Sequence, residues 1–323
     1  MTTPQRSRHQ PEGIVSTLRI RETPRANLTQ RYTALKTITS TMTIGNTIRA
    51  TLTTLENAQI ENAQAEAEWI AANRLGTTRA GLHAAFNDAI DASICLDIDS
   101  DARRRASREP LQYILGDVEF CGCRIEVEPG VLIPRPETEW IIDFLQNTIS
   151  SAPERALDIG TGSGAIAVAL ASHWDAANIV AIDLASAALR IARRNAKINA
   201  VTDRTTFLRG DLHTLPFLDE NFDLIVSNPP YIRSADIPEL DPEVRLHEPL
   251  QALDGGLDGA DCYRSLADRY RSLLVPNGLF ACELPGDPPD LVLDLFQANE
   301  YSDLTIHDDL SGKPRLLTGR NPA

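Results

Sequence analysis

The sequence predicts an α/β protein in which a parallel sheet with helices on both faces follows a small α-helical domain and a β-hairpin. Three observations lead to this prediction. Apolar residues recur at helical spacing after residue 42, a short strand-like stretch follows near residue 120, and strands and helices alternate from about residue 155. Such alternation is typical of parallel sheets, whose neighbouring strands are connected through helices.

Residues 42–115 have the periodicity of a small helical domain. Apolar residues recur there at intervals of three or four positions, as in Ile44, Ile48, Leu52 and Leu55. This spacing places them on one face of a helix, and we interpret that face as the core of the domain. A run of three arginines, Arg103 to Arg105, is interpreted as a solvated face.

Residues 116–128 predict a β-hairpin that links two domains. The strand-like residues of this stretch are interrupted by Gly116 and Gly122, which suit turns. Prolines between positions 129 and 136 then exclude a regular helix until after Pro136, which suits the first turn of the helix that follows. We assign residues 129–323 to the second domain.

The second domain contains seven candidate strands. Five are short apolar runs between turn residues, at Ala156–Ile159, Ile179–Ile182, Thr206–Leu208, Phe222–Val226 and Leu279–Cys282. Two later strands, near Leu304–Ile306 and Arg315–Thr318, complete the domain.

Composition excludes several classes of protein. The 323-residue chain has a formal net charge of −14, which repels duplex nucleic acid unless a local basic patch compensates. No apolar run reaches the roughly eighteen residues of a membrane helix. The 5 cysteines are scattered and odd in number, which disfavours a disulfide framework and a zinc site. We therefore expect no metal, no membrane association and a reducing, cytoplasmic location.

Residues 1–41 differ from the rest of the chain. They are rich in Thr, Arg and Ser and have no sustained apolar period, so we predict a disordered extension. An Arg-rich, acid-poor leader also resembles an organelle transit peptide. We favour a third interpretation, in which Met42 is the true start and the leader is an upstream extension, because a domain begins directly after it.

A glycine-rich turn after the first strand predicts a ligand site. It consists of Gly160, Thr161, Gly162, Ser163 and Gly164. Glycines at alternate positions let the backbone turn sharply and approach a ligand closely. In open α/β sheets, ligands bind beyond the carboxyl ends of the strands. By itself such a turn is a weak sign, since a purely structural turn has the same composition.

Two acidic residues after the next two strands strengthen the prediction of a nucleoside site. Asp183 ends the second strand, where a carboxylate can accept hydrogen bonds from both ribose hydroxyls. Asp211 follows the third strand and can accept one from an adenine amino group, while Leu212 packs on the ring. The order G-x-G-x-G, with Asp158 just ahead, favours S-adenosylmethionine over NAD because an acid suits a cationic tail better than a pyrophosphate.

The tetrapeptide Asn228-Pro229-Pro230-Tyr231, at the end of the fourth strand, is the predicted catalytic and substrate-binding loop. The prolines have no N–H, so carbonyls are presented on a stiff loop without nearby donors. The Asn228 side-chain oxygen and the Pro229 carbonyl can accept the two hydrogens of a planar –NH₂ group, against which Tyr231 packs. Good alignment can lower a barrier by about 7–11 kcal/mol. No general base is required before attack, because the methylated nitrogen becomes acidic.

Together these motifs resemble the release factor glutamine methyltransferases, the PrmC/HemK family. The resemblance runs from about Met42 to the C-terminus and includes residues 108–114, 132–139, 158–164, 228–232 and 248–249. It implies a class I S-adenosylmethionine-dependent methyltransferase with a Rossmann-like seven-stranded sheet and a helical domain that docks the substrate. The implied reaction methylates the side-chain amide nitrogen of the glutamine in the Gly-Gly-Gln motif of a peptide-chain release factor.

The resemblance also implies roles for individual residues. The glycine turn, Asp183, Leu212 and Asn228 would contact the cofactor, the tetrapeptide would hold the substrate glutamine, and residues 135–137 would shape the site wall. Two features depart from the family pattern. The family usually has Gly and Gln shortly after the glutamate that ends the fifth strand, whereas Glu283 is followed here by Leu-Pro-Gly-Asp-Pro-Pro, and the leader has no counterpart.

Three other functions remain open on the sequence. A DNA or RNA adenine methyltransferase performs the same –NH₂ chemistry on a flipped base, but the acidic charge and the lack of a basic recognition domain count against it. An NAD-dependent oxidoreductase is a second alternative. A non-enzymatic nucleoside-binding protein is a third, although it would not need the intact tetrapeptide. We expect a monomer whose partner is a release factor, without direct nucleic acid binding.

Overall fold

The structure is a computed structural model that describes residues 42–214, 221–286 and 290–323. The prediction for residues 1–41 lies outside this part of the chain, as does the end of the altered loop after Glu283. No helix among the described residues combines the length and the apolar composition that crossing a membrane requires.

Five helices form the first part of the described chain. Their bounds are α1 Ile44–Asn57, α2 Ala63–Leu75, α3 Arg79–Ala84, α4 Ala92–Ala106 and α5 Leu111–Leu115. Helix α1 begins where the Thr43 hydroxyl accepts a hydrogen bond from the Asn46 amide, and α2 ends at Gly76, whose φ is 59°. The predicted apolar stripe of α1 is confirmed, because Ile44, Ile48 and Leu55 are buried in one core.

The predicted hairpin is confirmed by two antiparallel strands, β1 Asp117–Phe120 and β2 Cys123–Glu126. Its apolar residues belong to the buried cluster that covers one face of the seven-stranded sheet formed by the rest of the chain. The Asn195 side chain fixes it there, since its Oδ1 accepts from the Glu126 amide at 2.8 Å and its Nδ2 donates to the Glu126 carbonyl at 3.0 Å. The hairpin therefore packs as part of the sheet-containing unit.

A seven-stranded sheet dominates the rest of the chain, in the order β5-β4-β3-β6-β7-β9-β8. The strands are β3 Arg155–Ile159, β4 Asn178–Asp183, β5 Thr205–Arg209, β6 Phe222–Ser227, β7 Leu274–Glu283, β8 Ser302–Asp308 and β9 Pro314–Arg320. Strands β3 to β7 are parallel, and β9 is antiparallel to both β7 and β8. All seven predicted strands are present, and the parallel arrangement predicted from the alternation is confirmed for β3 to β7, whereas no direction was predicted for the last two strands. Strand order reverses between β3 and β6, which is where sheets of this kind bind ligands.

Helices cover both faces of the sheet, as the alternating pattern predicts. Their bounds are α6 Pro136–Thr148, α7 Ala165–His173, α8 Ser186–Ile198, α9 Pro242–His247, α10 Asp261–Arg269 and α11 Asp290–Ala298. Successive strand residues point to opposite faces, so Ala156 joins the core under α6, α7 and α8 while Leu157 joins the core under α10 and α11.

Arg105 connects the helical part to the sheet-containing part, and its interpretation as a solvated residue is wrong. Its side chain is only 8% exposed. The guanidinium donates to Glu66 at 2.5 Å and to Glu243, in α9, at 2.8 Å. Arg103 does lie on a solvated face, with its side chain 75% exposed. The three arginines therefore differ because only Arg105 has acceptors on two other elements.

Replacing Arg105 by Ala is expected to lower the free energy of unfolding by about 3 kcal/mol, because it leaves buried Glu66 without its cation and Glu243 with only its 3.2 Å contact to Arg108. Chemical denaturation measures this change. Arg103→Ala is the matched control, since an exposed ion pair contributes at most about 1 kcal/mol. Equal, small effects of both substitutions would contradict a structural role for the Arg105 contacts.

Candidate active site

One cavity opens at the carboxyl ends of the parallel strands, beside the point where strand order reverses. It is lined by Gly160, Gly162, Asp183, Asp211, Leu212, Asn228 and Pro230, together with residues of the loops around Gly130 and Pro249 and Cys262 of α10. Parts of the three predicted motifs therefore meet in one place. A larger cavity of about 700 Å³, near the amino ends of β6 and β7, contains none of the predicted site residues.

The glycine turn needs all three of its glycines. Gly160, Gly162 and Gly164 have φ values of 75°, 53° and 81°, a conformation that side chains with a Cβ rarely adopt. The amides of Gly160 and Thr161 both donate to the Ile182 carbonyl at 2.9 Å, which fixes the turn against β4. At Gly164, a Cβ would lie 2.8 Å from the Cβ of Ala192 in α8. The third glycine therefore permits close packing of the next helix as well as the turn.

Gly164→Ala is expected to lower the free energy of unfolding by about 2 kcal/mol and to weaken cofactor binding. The added methyl group would overlap α8, and the backbone φ at this position is unfavourable for alanine. Thermal unfolding and calorimetric titration measure the two effects. Gly312→Ala is the matched control, since Gly312 has a φ of 77° but nothing within 4 Å of its Cβ position. If the two variants are equally stable, the overlap with Ala192 does not matter.

Asp158 lies beneath this turn and is fully buried, so it does not line the cavity. Its Oδ2 accepts from the Thr161 hydroxyl at 2.6 Å and from the Ala167 amide at 3.2 Å. Its Oδ1 has no hydrogen-bond partner among the described residues. Burial, with a smaller contribution from nearby Asp183, raises the pKa of Asp158 to about 7. One oxygen thus organises the turn, and the other retains the capacity to accept a bond from a ligand or water.

Asp183 and Asp211 are placed where the sequence predicts a nucleoside. The Asp183 oxygens each accept one backbone amide, from Gly162 and from Ala185, both at 2.8 Å. Each carboxylate oxygen has a further lone pair, so both can also accept a ribose hydroxyl. Burial raises the pKa of Asp183 above its ordinary value. Among residues 42–214, 221–286 and 290–323, only the His213 amide donates to the Asp211 carboxylate, through Oδ1, so Oδ2 is available to a ligand.

The wall of the cavity differs from the prediction. Val131 and Leu132 line it, whereas Arg135 lies in a neighbouring cleft between the helical part and α9. There a guanidinium nitrogen of Arg135 contacts both carboxylate oxygens of buried Glu248 at 2.7 Å. This ion pair connects the segment before α6 to the loop after α9. Arg135 therefore supports the cavity wall without lining the cavity.

The tetrapeptide is divided between the cavity and the core. Asn228 and Pro230 line the cavity, Pro229 is buried, and Tyr231 packs partly against the second face of the sheet. The Tyr231 hydroxyl donates to Glu283 Oε1 at 3.3 Å. The sequence predicts that the Tyr231 ring packs on the substrate. Because the ring also packs on the sheet and its hydroxyl bonds Glu283, only the remaining part of the ring can contact a substrate.

The Asn228 side chain has a defined orientation. Its Nδ2 donates to the Thr138 hydroxyl at 3.0 Å, and that hydroxyl donates to Glu283 Oε2 at 2.6 Å. The amide oxygen of Asn228 is thereby left for a ligand in the cavity. Sequence reasoning quoted Thr138 and Glu283 only as members of motifs, because nothing in the linear pattern indicates that α6 and β7 meet at Asn228.

Two further glycines that the sequence analysis did not single out hold the tetrapeptide in place. A Cβ at Gly255 would lie 2.7 Å from Tyr231 Cα, and one at Gly259 would lie 2.5 Å from the Tyr231 carbonyl oxygen. The Ile232 amide and carbonyl bond to Leu253 and Gly255 at 2.9 and 2.8 Å. The loop that begins after α9 therefore packs its backbone directly on the tetrapeptide, and Gly255-Gly256 with Gly259 was the available signal.

Comparisons with known proteins agree with this geometry. Residues 47–116 match the PrmC N-terminal domain family and residues 156–245 match the Methyltransferase domain family. The release factor glutamine methyltransferase of Geobacter sulfurreducens is 42% identical over 81% of this chain and 90% of its own length. That of Caulobacter vibrioides is 37% identical over 87% of this chain and 98% of its own length. The solved hMettl16 catalytic domain, in complex with the MAT2A 3'UTR hairpin 6, is 14% identical, covers 72% of this chain and 83% of its own, and has a TM-score of 0.51, a likeness of fold alone.

The seven-stranded sheet with its glycine turn and the cavity beyond it define a class I methyltransferase. The identity and coverage of the relatives then decide the family. The chain belongs to the release factor glutamine methyltransferase family.

Proposed function

We propose that this protein transfers a methyl group from S-adenosylmethionine to the side-chain amide nitrogen of the glutamine in the Gly-Gly-Gln motif of a peptide-chain release factor. The observation that carries the proposal is the orientation of Asn228. Its amide nitrogen is bound to Thr138, so its oxygen is left as an acceptor in the cavity that also contains the glycine turn. Relatives that share at least 37% identity over most of this chain are named for the same reaction.

The residues present fit S-adenosylmethionine. Asp183 retains free lone pairs for the ribose hydroxyls, Asp211 retains one oxygen for the adenine, and Leu212 offers an apolar surface. The buried, unpartnered oxygen of Asp158 favours a ligand that carries donors or positive charge. The glycine turn, from Gly160 through Thr161, Gly162 and Ser163 to Gly164, lets the backbone lie against such a ligand.

The protein contributes mainly alignment. When bound, S-adenosylmethionine would supply an electrophilic methyl group for the substrate amide nitrogen, whose displaced proton water can accept. Asn228 Oδ1 and the Pro229 carbonyl hold the two amide hydrogens, and Pro230 and Tyr231 keep the loop stiff. Fixed acceptors of this kind favour electron density on nitrogen before transfer and need no rearrangement during it.

We further propose the partner and the division of labour. Residues 42–115 would dock the release factor, residues 116–128 would link the two domains, and residues 129–323 would form the methyltransferase domain. The cleft lined by Trp69, Gln112 and Arg135, between the helical part and α9, supports a protein substrate that contacts both. The described cysteines are all free thiols, which agrees with a cytoplasmic location. We also propose a monomer that binds no nucleic acid directly, since the formal net charge of −14 repels a polyanion.

The decisive experiment incubates the full chain with labelled S-adenosylmethionine and either a release factor, the same factor with its Gly-Gly-Gln glutamine changed to alanine, or duplex DNA. Mass spectrometry of peptides then locates the added methyl group. We expect label on that glutamine and none on the alanine variant or the DNA. Label on adenine, or on another residue of the factor, would assign a different substrate to this site.

A further inference from the structure

Strand β7 ends in a carboxylate that lies behind the tetrapeptide. Glu283 is 1% exposed, and its two oxygens have different partners. Oε2 accepts from the Thr138 hydroxyl at 2.6 Å and Oε1 accepts from the Tyr231 hydroxyl at 3.3 Å. Thr138 is also buried and in turn accepts from Asn228 Nδ2 at 3.0 Å. These four side chains form one hydrogen-bonded chain that ends at the cavity.

We propose that Glu283 and Thr138 are positioning residues that fix which way round the Asn228 amide is held, and that ionisation of Glu283 controls this orientation. The inference rests on the proposed function, because it concerns how the amide oxygen of Asn228 is presented to a substrate –NH₂ group.

The direction of the chain follows from the chemistry of its members. An ionised carboxylate can only accept hydrogen bonds. The single hydroxyl proton of Thr138 must therefore point to Glu283, which leaves only lone pairs toward Asn228. Asn228 can meet those lone pairs with its –NH₂ group but not with its oxygen. Its oxygen is consequently turned into the cavity, where it can accept a hydrogen from the substrate amide.

Protonation of Glu283 removes this constraint. A neutral carboxyl group carries one donor and can donate to Thr138, whose own proton is then free to bond the Asn228 oxygen. In that arrangement Asn228 presents its –NH₂ group to the –NH₂ group of the substrate, so two donors meet and no hydrogen bond forms. Neutral Glu283 therefore permits a binding mode that opposes methyl transfer, whereas ionised Glu283 excludes it.

The surroundings of Glu283 raise the pKa of its carboxyl group to near neutral pH. Burial raises the pKa of Glu283 to about 7, and the nearby charge of Glu137 in α6 adds to the rise. The Thr138 hydrogen bond, Arg315 of β9 and the Tyr231 hydroxyl lower this pKa but do not cancel the effect of burial. Tyr263 of α10 contacts only the backbone carbonyl of Glu283 and leaves its carboxylate oxygens free for the chain. Since only the ionised form excludes the opposing orientation of Asn228, turnover is expected to rise as pH rises through about 7.

Asp158 is the competing explanation for such a pH dependence, because burial raises its pKa to the same range. The two groups act at different steps. Asp158 lies under the glycine turn and would change cofactor affinity, whereas Glu283 acts through Asn228 and would change kcat at saturating cofactor. A pH profile of kcat, recorded beside a pH profile of cofactor affinity, separates them.

The test measures kcat on release factor between pH 5.5 and 9 for wild type, Thr138→Val, Thr138→Ser and Glu283→Gln, with cofactor affinity by calorimetry. Thr138→Val is expected to lower kcat about 10- to 100-fold at every pH, as loss of one buried hydrogen-bond partner predicts, with cofactor affinity unchanged. Thr138→Ser restores the hydroxyl and the turnover. Thr205→Val, which removes a buried hydroxyl at the amino end of β5, is the matched control and keeps wild-type turnover.

Glu283→Gln imitates the protonated carboxyl at all pH values. It is expected to show the low turnover that wild type reaches at acidic pH, without a rise on going to pH 9. Wild-type turnover in Thr138→Val, or an acidic limb that persists in Glu283→Gln, overturns the inference.

A second measurement does not depend on the substrate. In protein labelled with ¹³C at glutamate carboxyl carbons, the Glu283 signal is assigned by its loss in Glu283→Gln and titrated by NMR. Thr138→Val is expected to raise the midpoint of that titration, because it removes a hydrogen bond that favours the carboxylate. An unchanged midpoint overturns the chain of contacts even if the proposed substrate proves wrong, whereas a shifted midpoint without methylation of release factor faults the proposed function alone.

Discussion

Asn228→Ala is expected to reduce kcat by about 10²- to 10³-fold while cofactor affinity stays within a few-fold of wild type. The substitution removes a fixed acceptor that aligns the substrate amide, and single preorganised groups of this kind contribute effects of that size. The cofactor contacts proposed for the glycine turn and for Asp183 are untouched by it. Single-turnover assays with labelled cofactor measure the transfer step, and calorimetry measures binding.

The control for this substitution is Asn147→Ala, an exposed asparagine of α6 whose side chain bonds only a backbone carbonyl of its own helix. It is expected to leave turnover unchanged. Retained turnover in Asn228→Ala would remove the tetrapeptide from the mechanism, and a parallel loss of cofactor affinity would make Asn228 a cofactor ligand instead of a substrate acceptor.

Asp183→Ala is expected to weaken cofactor binding by about 100-fold or more. Hydrogen bonds to a charged acceptor contribute about 1.5–3 kcal/mol each, and two ribose hydroxyls are available to the carboxylate. The substitution also releases the amides of Gly162 and Ala185, so part of the loss comes from the turn itself. Asp183→Asn, which keeps one oxygen but removes the charge, is expected to give an intermediate loss.

Calorimetric titration with S-adenosylmethionine measures these affinities. Asp203→Ala is the control, because Asp203 is exposed and makes only a distant contact with Arg204. Equal affinities of Asp183→Ala and wild type would show that the acid after β4 serves the turn alone.

The sheet and the cavity could be predicted from the sequence because their signals are local. Each strand is a short apolar run beside turn residues, and each predicted ligand contact follows its strand within a few positions. Parallel strands bring their carboxyl ends to one edge, so separate local signals specify one site. The antiparallel arrangement of β8 and β9 was not predicted, because apolar runs carry no information on strand direction.

Contacts between distant segments could not be predicted in the same way. Thr138 and Glu283 are 145 positions apart, and Arg105 and Glu243 are 138 positions apart. An arginine beside two others on a helix has the composition of a solvated face, and only the fold supplies the acidic partners that bury it. The wall of the cavity was misassigned for a related reason, since Arg135 faces Glu248 behind the wall and the apolar side chains just before it form the surface.

The Arg105 contacts also bear on how enzymes of this kind could be recombined. A chimera that takes its helical part from a relative with a different residue at this position would leave Glu243 with only the longer contact to Arg108. Exchange of the helical part therefore has to carry α9 along with it, even though α9 lies far downstream in the chain. The unit that can be transplanted is defined by this charge cluster and not by the boundary in the sequence.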